Sequence, residues 1–337
     1  MSPLLVHVIV ALVVFAIYFQ FPPVLIYAER KVCARIQNRI GPNRVGPWGL
    51  LQPLADAVKL LTKEEVVPAR AERGLYYLAP VIAILPASFA FAVVPIARPF
   101  VLGDGTVIAT QVADLNVGII FVLAITSLGV YGIAFGGWSA NSKYPLLGGI
   151  RSSAQLISYE IAMGLAIVAV VMVSGAVRMG GIVDSQIAHG WNVIRQPVAA
   201  LLFTIAMFAE NNRLPFDLPE AEAELVGGYH TEYSGMKFAL FFMGEYMAMV
   251  TMSGVFVTLF LGGWHFPGID PTPGSLAGTV ATGAIFFGKV SLVLFFYLWV
   301  RWTLPRLRYD QLMQLGWKAL IPIGLANILV TGIFGVL

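Results

Sequence analysis

Apolar residues run along this chain in blocks of about 20, separated by shorter segments that carry most of the charges. Such a block is long enough to cross a bilayer as a helix, whereas a membrane β-strand alternates over about ten residues. The pattern therefore predicts an all-α, polytopic membrane protein with about eight transmembrane helices. We place them at residues 4–27, 75–95, 115–135, 154–174, 196–210, 236–261, 279–301 and 317–336. The fifth is the shortest, because Pro197 opens it and Glu210 closes it.

The basic residues indicate the orientation of these predicted spans. Of the 21 Lys and Arg, 17 lie in alternate connecting segments, at 28–74, 136–153, 211–237 and 301–318. Three lie in the opposite loops, and Lys289 lies inside a span. Because loops rich in Lys and Arg stay on the cytoplasmic side, we expect long loops inside and both chain termini outside. The first apolar block has no basic leader, so we expect a span there and not a signal peptide.

Composition narrows the class further. The chain has 337 residues, of which 58% are hydrophobic and 12% are charged, whereas soluble domains carry about 25% charged residues. A single cysteine, Cys33, excludes an internal disulfide and a four-thiolate metal site. The four histidines are scattered singly, and the Gly41 to Gly46 spacing runs into Pro47 instead of a phosphate-binding Gly-Lys-Ser/Thr. We expect no metal, no nucleic acid, and no redox cofactor bound by this chain alone.

The long inside loop at 28–74 contains an amphipathic segment. Its apolar residues share one helical face: Leu50, Leu54, Val58 and Leu61. Asp56, Lys59 and Lys63 share another face. Such a helix lies in the membrane interface or forms the wall of a cavity entrance, and the pattern leaves both open. No internal repeat or linker divides residues 1–337, so we expect a single transmembrane domain.

A second inside loop, at 210–235, is unusually acidic. It holds six of the 18 acidic residues: Glu210, Asp217, Glu220, Glu222, Glu224 and Glu232. Carboxylates packed at a membrane surface raise one another's pKa values and titrate as a group. The loop is therefore a candidate for moving protons or for responding to a change of charge.

Ionisable residues also fall within or at the ends of predicted spans. They are Glu29, Glu160, Glu210, Glu245 and Lys289. Each costs about 2.5–3.5 kcal/mol at a helix centre, so each is a functional candidate. The carboxylates lie in the inside half of the membrane, as expected for a proton path. The alternative for any one of them is a structural ion pair, for example Glu245 with Lys289.

Five motifs of this chain resemble those of a known family. They are Glu29-Arg-Lys, Asn38-Arg-Ile-Gly-Pro-Asn-Arg-Val-Gly, Leu51-Gln-Pro-Leu-Ala-Asp-Ala-Val-Lys-Leu, Ser158-Tyr-Glu and Glu210-Asn-Asn-Arg-Leu-Pro-Phe-Asp-Leu-Pro-Glu-Ala-Glu. The family is that of the H-type membrane subunits of respiratory complex I, the proton-pumping NADH:quinone oxidoreductase. The resemblance runs through all eight predicted spans.

The resemblance implies two sets of functional residues, at the junction between the membrane arm and the soluble arm. Those of the quinone cavity and its entrance are Arg30, Arg35, Asp56, Lys59 and Phe216. Those that couple quinone reduction to proton translocation are Glu29, Tyr159, Glu160, Glu210, Arg213, Asp217, Glu220, Glu222, Glu224 and Glu245.

The resemblance also implies partners and a location. Quinone is the substrate, and flavin mononucleotide and iron–sulfur clusters belong to partner subunits. The partners are soluble quinone-module subunits on the inside face, small membrane subunits, antiporter-like subunits and lipids. The membrane is the bacterial inner membrane or its organellar equivalent.

Three other functions remain open at this point. A related anchor protein occurs in membrane-bound hydrogenases and formate hydrogenlyase-type complexes. A free-standing transporter is disfavoured, because transporters place their site at the midplane between repeats. A passive docking scaffold does not explain the buried Glu160 and Glu245.

Overall fold

The computed structural model describes residues 3–101, 105, 107–217, 227–269 and 274–336. Glu220, Glu222 and Glu224 of the predicted acidic loop lie outside the described residues. The regular structure of the described part is helical, apart from one antiparallel pair of two-residue strands. The predicted class, a polytopic all-α membrane protein, is confirmed.

The helices of the described segments follow the apolar blocks. They are α1 Pro3–Ile36, α2 Gln52–Thr62, α3 Arg73–Phe91, α4 Gly118–Ser139, α5 Lys143–Ser174, α6 Met179–His189, α7 Asn192–Arg195, α8 Pro197–Glu210, α9 Gly235–Phe260, α10 Leu276–Thr303, α11 Tyr309–Gln314 and α12 Ile321–Val336. A π-helical turn at Leu315–Leu320 joins α11 to α12. Strands β1 Phe100–Val101 and β2 Val107–Ile108 lie in the outside connection between α3 and α4.

Seven helical segments among the described residues are long and apolar enough to cross a membrane. They overlap seven of the eight predicted spans, although α5 begins at Lys143, eleven residues before the predicted start at 154. The remaining one, predicted at 196–210, corresponds to α8, whose 14 residues rise about 21 Å, less than the thickness of the hydrocarbon layer. Pro197 causes this shortness, because it has no N–H and displaces the backbone of Gln196 from helical angles (φ −133°, ψ 60°). α7 is therefore separated from α8.

Helix α9 forms the centre of the bundle. In its most apolar stretch 67% of the residues are buried, against 22% in α1. Small residues bring its neighbour α3 into backbone contact on two sides. A methyl group added to Gly132 of α4 would lie 2.6 Å from the nitrogen of Ala83, and one added to Gly244 of α9 would lie 3.3 Å from the Ala83 oxygen. Helices in membranes associate largely through such close packing.

Helix α1 extends further inside than predicted. The expected span ends at residue 27, but the helix continues to Ile36 because no helix breaker follows until the chain turns at Asn38, whose φ is 52°. The charged residues Glu29, Arg30 and Arg35 therefore project from a regular helix, not from a loop. Their directions are fixed by the helical period.

Helix α2 covers the predicted amphipathic segment. None of its residues is buried. On its apolar face Leu54, Val58 and Leu61 are 63%, 52% and 66% exposed. This chain by itself leaves that face open, as expected for a helix at the membrane interface or against a partner.

Lys289 on α10 has an unexpected set of partners. Its ammonium group donates hydrogen bonds to the carbonyl oxygens of Leu261 (2.6 Å), Gly263 (2.9 Å) and His265 (2.5 Å). The alternative of an ion pair between Glu245 and Lys289 is therefore wrong. Lys289 stabilises the outside loop that follows α9 through these hydrogen bonds.

Candidate functional site

An apolar cleft opens between α1, α2 and α9 near the inside end of the bundle. The volume that the centre of a water molecule can reach in this cleft is about 150 Å³. Its walls include Pro22, Pro23 and Ile26 of α1, Pro53, Asp56 and Leu60 of α2, and Phe238, Phe242 and Met243 of α9. Among the described residues that line it, Asp56 alone carries a charge. The cleft therefore suits a largely apolar ligand with a few polar atoms.

Asp56 is the centre of a charged group at this cleft. Its carboxylate lies 2.7 Å from the guanidinium of Arg30 and 3.5 Å from the ammonium of Lys59. Gln52 donates a third contact, at 3.3 Å. The side chain of Asp56 remains 21% exposed. The structure thus brings together three of the five residues expected at the quinone entrance.

The other two of those residues lie elsewhere. Arg35 is five positions beyond Arg30, which places it about 140° around the helix, and it lines a separate groove against α10. Phe216 is 4% exposed and packs against Tyr159, with ring centroids 5.3 Å apart. Neither side chain lines the cleft next to Asp56.

Glu29 of α1 joins three helices and a loop. Its carboxylate accepts hydrogen bonds from Arg301 of α10 and, at 2.7 Å, from the hydroxyl of Tyr246 on α9. The guanidinium of Arg213, in the loop after α8, lies 3.5 Å from the same carboxylate. Glu29 is only 7% exposed, so these partners replace the water that a carboxylate needs.

Arg213 forms the link between two buried carboxylates. It is 3% exposed, contacts Glu29 on one side and forms an ion pair with Glu245 on the other. Its guanidinium also lies 4.5 Å from the centre of the Tyr246 ring. A buried charge is tolerated only when paired. Two carboxylates and two guanidinium groups, those of Arg213 and Arg301, therefore make a balanced row of charges.

A small cavity borders Glu245 at the end of this row, between α3, α4, α8 and α9. It offers about 80 Å³ to the centres of water-sized molecules, so a few waters fit. Its polar lining residues are Thr126, Glu210, Asn211, Asn212, Glu245 and Thr251. Glu245 thus contacts Arg213 and also borders the cavity, and Glu210 closes the helix just before the loop that carries Arg213.

Glu160 extends this arrangement toward α4. Its carboxylate accepts a hydrogen bond from Ser127, and it lies within electrostatic range of Glu210. One carboxylate oxygen of Glu210 is buried without a hydrogen-bond partner among the described residues. The structure therefore brings Glu160, Glu210 and Glu245 to one region, whereas the sequence pattern placed them only at a similar depth.

The loop that carries Arg213 is held from the side by α5. The amide nitrogen of Gln155 donates to the carbonyl oxygens of Ala209 (2.8 Å) and Phe216 (3.0 Å) and to the side chain of Asn212 (3.2 Å). Gln155 is fully buried. The two N–H groups of this amide are shared among three acceptors, and they fix the path of the loop on both sides of Arg213.

Replacing Gln155 by Leu is expected to displace this loop. The buried carbonyls would lose their donor, at a cost of about 1–3 kcal/mol. We expect a lower melting temperature and a several-fold lower quinone reductase activity per assembled complex. Gln186→Leu is the matched control, because Gln186 is an equally buried amide that donates at 2.8 Å to Thr258 on the outside face. An equal loss of specific activity in both variants would contradict a role for Gln155 in positioning Arg213.

Further contacts hold the two ends of the acidic loop. Asp217 pairs with Arg306 at 3.2 Å. At the other end, Lys237 lies 2.5 Å from Glu65. The Asp217–Arg306 pair therefore ties the start of the loop to the segment between α10 and α11. Near the other end, burial lowers the pKa of His230 to about 4, so its imidazole is neutral at physiological pH.

Tyr159 makes a structural contact with the segment before α12. Its hydroxyl donates to the carbonyl oxygen of Leu312 at 2.9 Å. The adjacent Gly316 of the π-helical turn lies against its ring. Tyr159 is thereby placed between Phe216 and the segment before α12.

Several residues of this site were missed by sequence reasoning. They are Ser127, Gln155, Tyr246, Arg301 and Arg306. The sequence offered a weak signal for Arg301 and Arg306, since cations at the inside end of an apolar helix are common. A buried Gln or Ser within an apolar block gives no signal of its partner, because the rotation of each helix about its axis decides which side chains meet.

Taken together, the fold and site define a multi-pass membrane protein in which a buried row of paired charges lies between an apolar cleft and a small cavity that two glutamates border. A family model described as NADH dehydrogenase matches residues 7–332. The first H-type subunit of the NADH-quinone oxidoreductase of Geobacter metallireducens is 52% identical over 97% of this chain and 95% of its own length. Its counterpart from Cytophaga hutchinsonii is 48% identical over 98% and 96%, and subunit 8 of the enzyme from Rhodothermus marinus is 51% identical over 91% and 90%. The chain belongs to the family of H-type membrane subunits of respiratory complex I, as its motifs predicted, and it is a multi-pass protein of the inner membrane.

Proposed function

We propose that this chain forms the membrane-side part of the quinone chamber, at the junction of the membrane and soluble arms, and couples quinone reduction to proton translocation. One observation carries the proposal: Arg213 is buried and contacts both Glu29 and Glu245. Glu29 directly precedes Arg30, which pairs with Asp56 at the cleft. Glu245 borders the inner cavity. A single side chain thus connects the two regions.

The cleft between α1, α2 and α9 suits a quinone. A quinone has a flat apolar ring, a long apolar tail and two carbonyl oxygens that accept hydrogen bonds. Proline, leucine, phenylalanine and methionine side chains of the cleft suit the tail. Arg30 and Lys59 can donate to a carbonyl oxygen, while Asp56 keeps their charge compensated.

The proposed coupling of quinone reduction to proton translocation depends on the charges of the buried row. Two-electron reduction of a quinone requires two protons, and negative charge appears at the headgroup before they arrive. Such a charge near Arg30 favours protonation or movement of the neighbouring carboxylates. If Glu29 gains a proton, Arg213 is held less strongly on that side and is drawn toward Glu245. We propose that Glu210, Glu160 and Asp217 respond in turn, together with Tyr159.

The acidic residues Glu220, Glu222 and Glu224 belong to the same proposal. They follow Asp217, which Arg306 holds, in the acidic loop. We propose that the loop responds to quinone reduction and transmits the change toward the cavity. Groups that interact this closely titrate together.

The proposal assigns the redox groups to other chains. Flavin mononucleotide and iron–sulfur clusters are in soluble partner subunits, and this chain supplies the place where quinone accepts their electrons. The partners are the quinone-module subunits on the inside face, and small and antiporter-like subunits within the membrane. Copurification tests this. Flavin and iron–sulfur subunits with inhibitor-sensitive quinone reduction would support it, and a nickel–iron enzyme in their place would move the chain to the hydrogenase-type anchors.

Replacing Asp56 by Asn is expected to raise the KM for quinone about tenfold with a smaller effect on kcat. The change leaves Arg30 and Lys59 uncompensated at the cleft, and a tenfold change corresponds to about 1.4 kcal/mol of binding. Steady-state kinetics with short-chain quinones would measure it. Lys63→Gln, at the end of the same helix, is the control. An unchanged KM in Asp56→Asn would place the quinone away from this cleft.

A further inference from the structure

A second groove lies on the opposite side of α1, where the inside end of α1 meets α10. It offers about 470 Å³ to the centres of water-sized molecules. Its lining residues are Lys31, Val32, Arg35, Ile36, Phe295 and Trp299. The groove is separate from the cleft beside Asp56, because the α1 residues that line that cleft lie on another face of the helix.

Two cations on one side of this groove have no carboxylate partner among the described residues. Lys31 and Arg35 are one helical turn apart and project from the same face of α1. The ammonium group of Lys31 lies 5.6 Å from the ring centre of Tyr27, and no ion pair is formed by either residue within the described segments. By contrast, the neighbouring Arg30 pairs with Asp56, and Arg301 pairs with Glu29.

The other side of the groove is apolar and aromatic. Phe295 and Trp299 are one turn apart on α10 and are 52% and 55% exposed. Leu292, one turn deeper in the membrane, is 70% exposed. Tryptophan prefers the headgroup level of a bilayer, where its ring is both apolar and polar. The groove thus has an apolar surface that leads toward the membrane centre, with the two cations at the edge expected near the headgroups.

We propose that this groove binds an anionic phospholipid of the inner leaflet. Its phosphate would lie between Lys31 and Arg35, and an acyl chain would follow Trp299, Phe295 and Leu292. Charge complementarity supports this occupant, because two cations that have no carboxylate partner among the described residues attract a phosphate at the membrane edge. The proposal assigns Arg35 to a lipid headgroup instead of the quinone entrance, and it does not depend on the proposed coupling mechanism.

The double variant Lys31→Gln/Arg35→Gln tests the charged part of the site. The intact complex is placed in phosphatidylcholine nanodiscs and titrated with spin-labelled phosphatidylglycerol. We expect binding about 30-fold weaker than in the unaltered complex, since each basic residue near the surface contributes about 1 kcal/mol. Arg70→Gln/Lys143→Gln removes the same charge from exposed positions away from the groove, before α3 and at the start of α5, and should leave binding unchanged. Equal affinities in all three proteins, or equal losses in both variants, would overturn the site.

Photo-crosslinking identifies what occupies the groove in the membrane. Benzoylphenylalanine in place of Ile36, which is 42% exposed, would react with the nearest C–H bonds. We expect an adduct with the mass of a phospholipid, which is lost when Lys31 and Arg35 are replaced. A protein adduct would show that a partner subunit covers the groove, and it would refute the lipid assignment. Absence of any adduct would refute it as well.

Discussion

Replacing Arg213 by Met is expected to lower coupled quinone reduction about 100-fold. Coupling between sites amounts to about 1–3 kcal/mol, which corresponds to 5–150-fold, and Arg213 is the side chain that touches both carboxylates. Its loss leaves Glu29 and Glu245 buried with one cation fewer. We therefore expect slow quinone reduction even in complexes that contain every subunit. NADH oxidation with a quinone analogue, measured per assembled complex, reports the effect.

Two comparisons separate this role from a loss of stability. Arg213→Lys keeps the positive charge but cannot contact both carboxylates with a planar fork, so we expect activity between those of Met and Arg. Arg308→Met removes a guanidinium from an exposed pair with Asp310, and exposed pairs contribute little. Activity in Arg213→Met equal to that of Arg308→Met would sink the proposal that Arg213 carries the coupling.

Glu245→Gln is expected to lower quinone reduction about tenfold and proton translocation at least as much. Gln has nearly the same size but cannot exchange a proton, and it leaves Arg213 with one carboxylate instead of two. The expected tenfold effect corresponds to about 1.4 kcal/mol, within the usual range for coupled sites. Proton uptake by reconstituted vesicles and quinone reduction should be measured on the same preparation.

The conservative variant makes this test specific. Glu245→Asp retains an ionisable group at the cavity, so we expect it to restore part of the translocation that Gln removes. Glu64→Gln, at an exposed position of the inside loop, controls for the loss of a carboxylate. Full translocation in Glu245→Gln, with normal assembly, would exclude Glu245 from the proton path.

The spans and their order could be predicted because bilayer thickness imposes a length on every apolar block. Seven of the eight predicted spans overlap long helices, and α8 has its predicted bounds but is shortened by a single proline. The end of α1 was placed too early, since charge alone does not terminate a helix. The depth of Glu160, Glu210 and Glu245 in the inside half of the membrane was predictable, but the side-chain contacts that bring them to one region were not.

Partners within the bundle were less predictable. Hydropathy gives depth along the membrane normal but not the rotation of each helix. The sequence therefore allowed an ion pair between Glu245 and Lys289. In the structure Lys289 binds backbone carbonyls and Glu245 binds Arg213. The separation of Arg30 from Arg35 was available in principle from the helical period, once α1 was known to continue past residue 27.

The close contact of α3 with its neighbours has a mechanical consequence. With no side-chain layer between Ala83 and Gly132, the helices around the cavity have no slack in which to slide, since close-packed interiors deform little. A change of charge at Glu245 must then be absorbed by side-chain rotation, by rearranged water and by the loop that Gln155 holds. In the proposed coupling, the helices around the cavity stay in place, and only side chains, water and this loop rearrange.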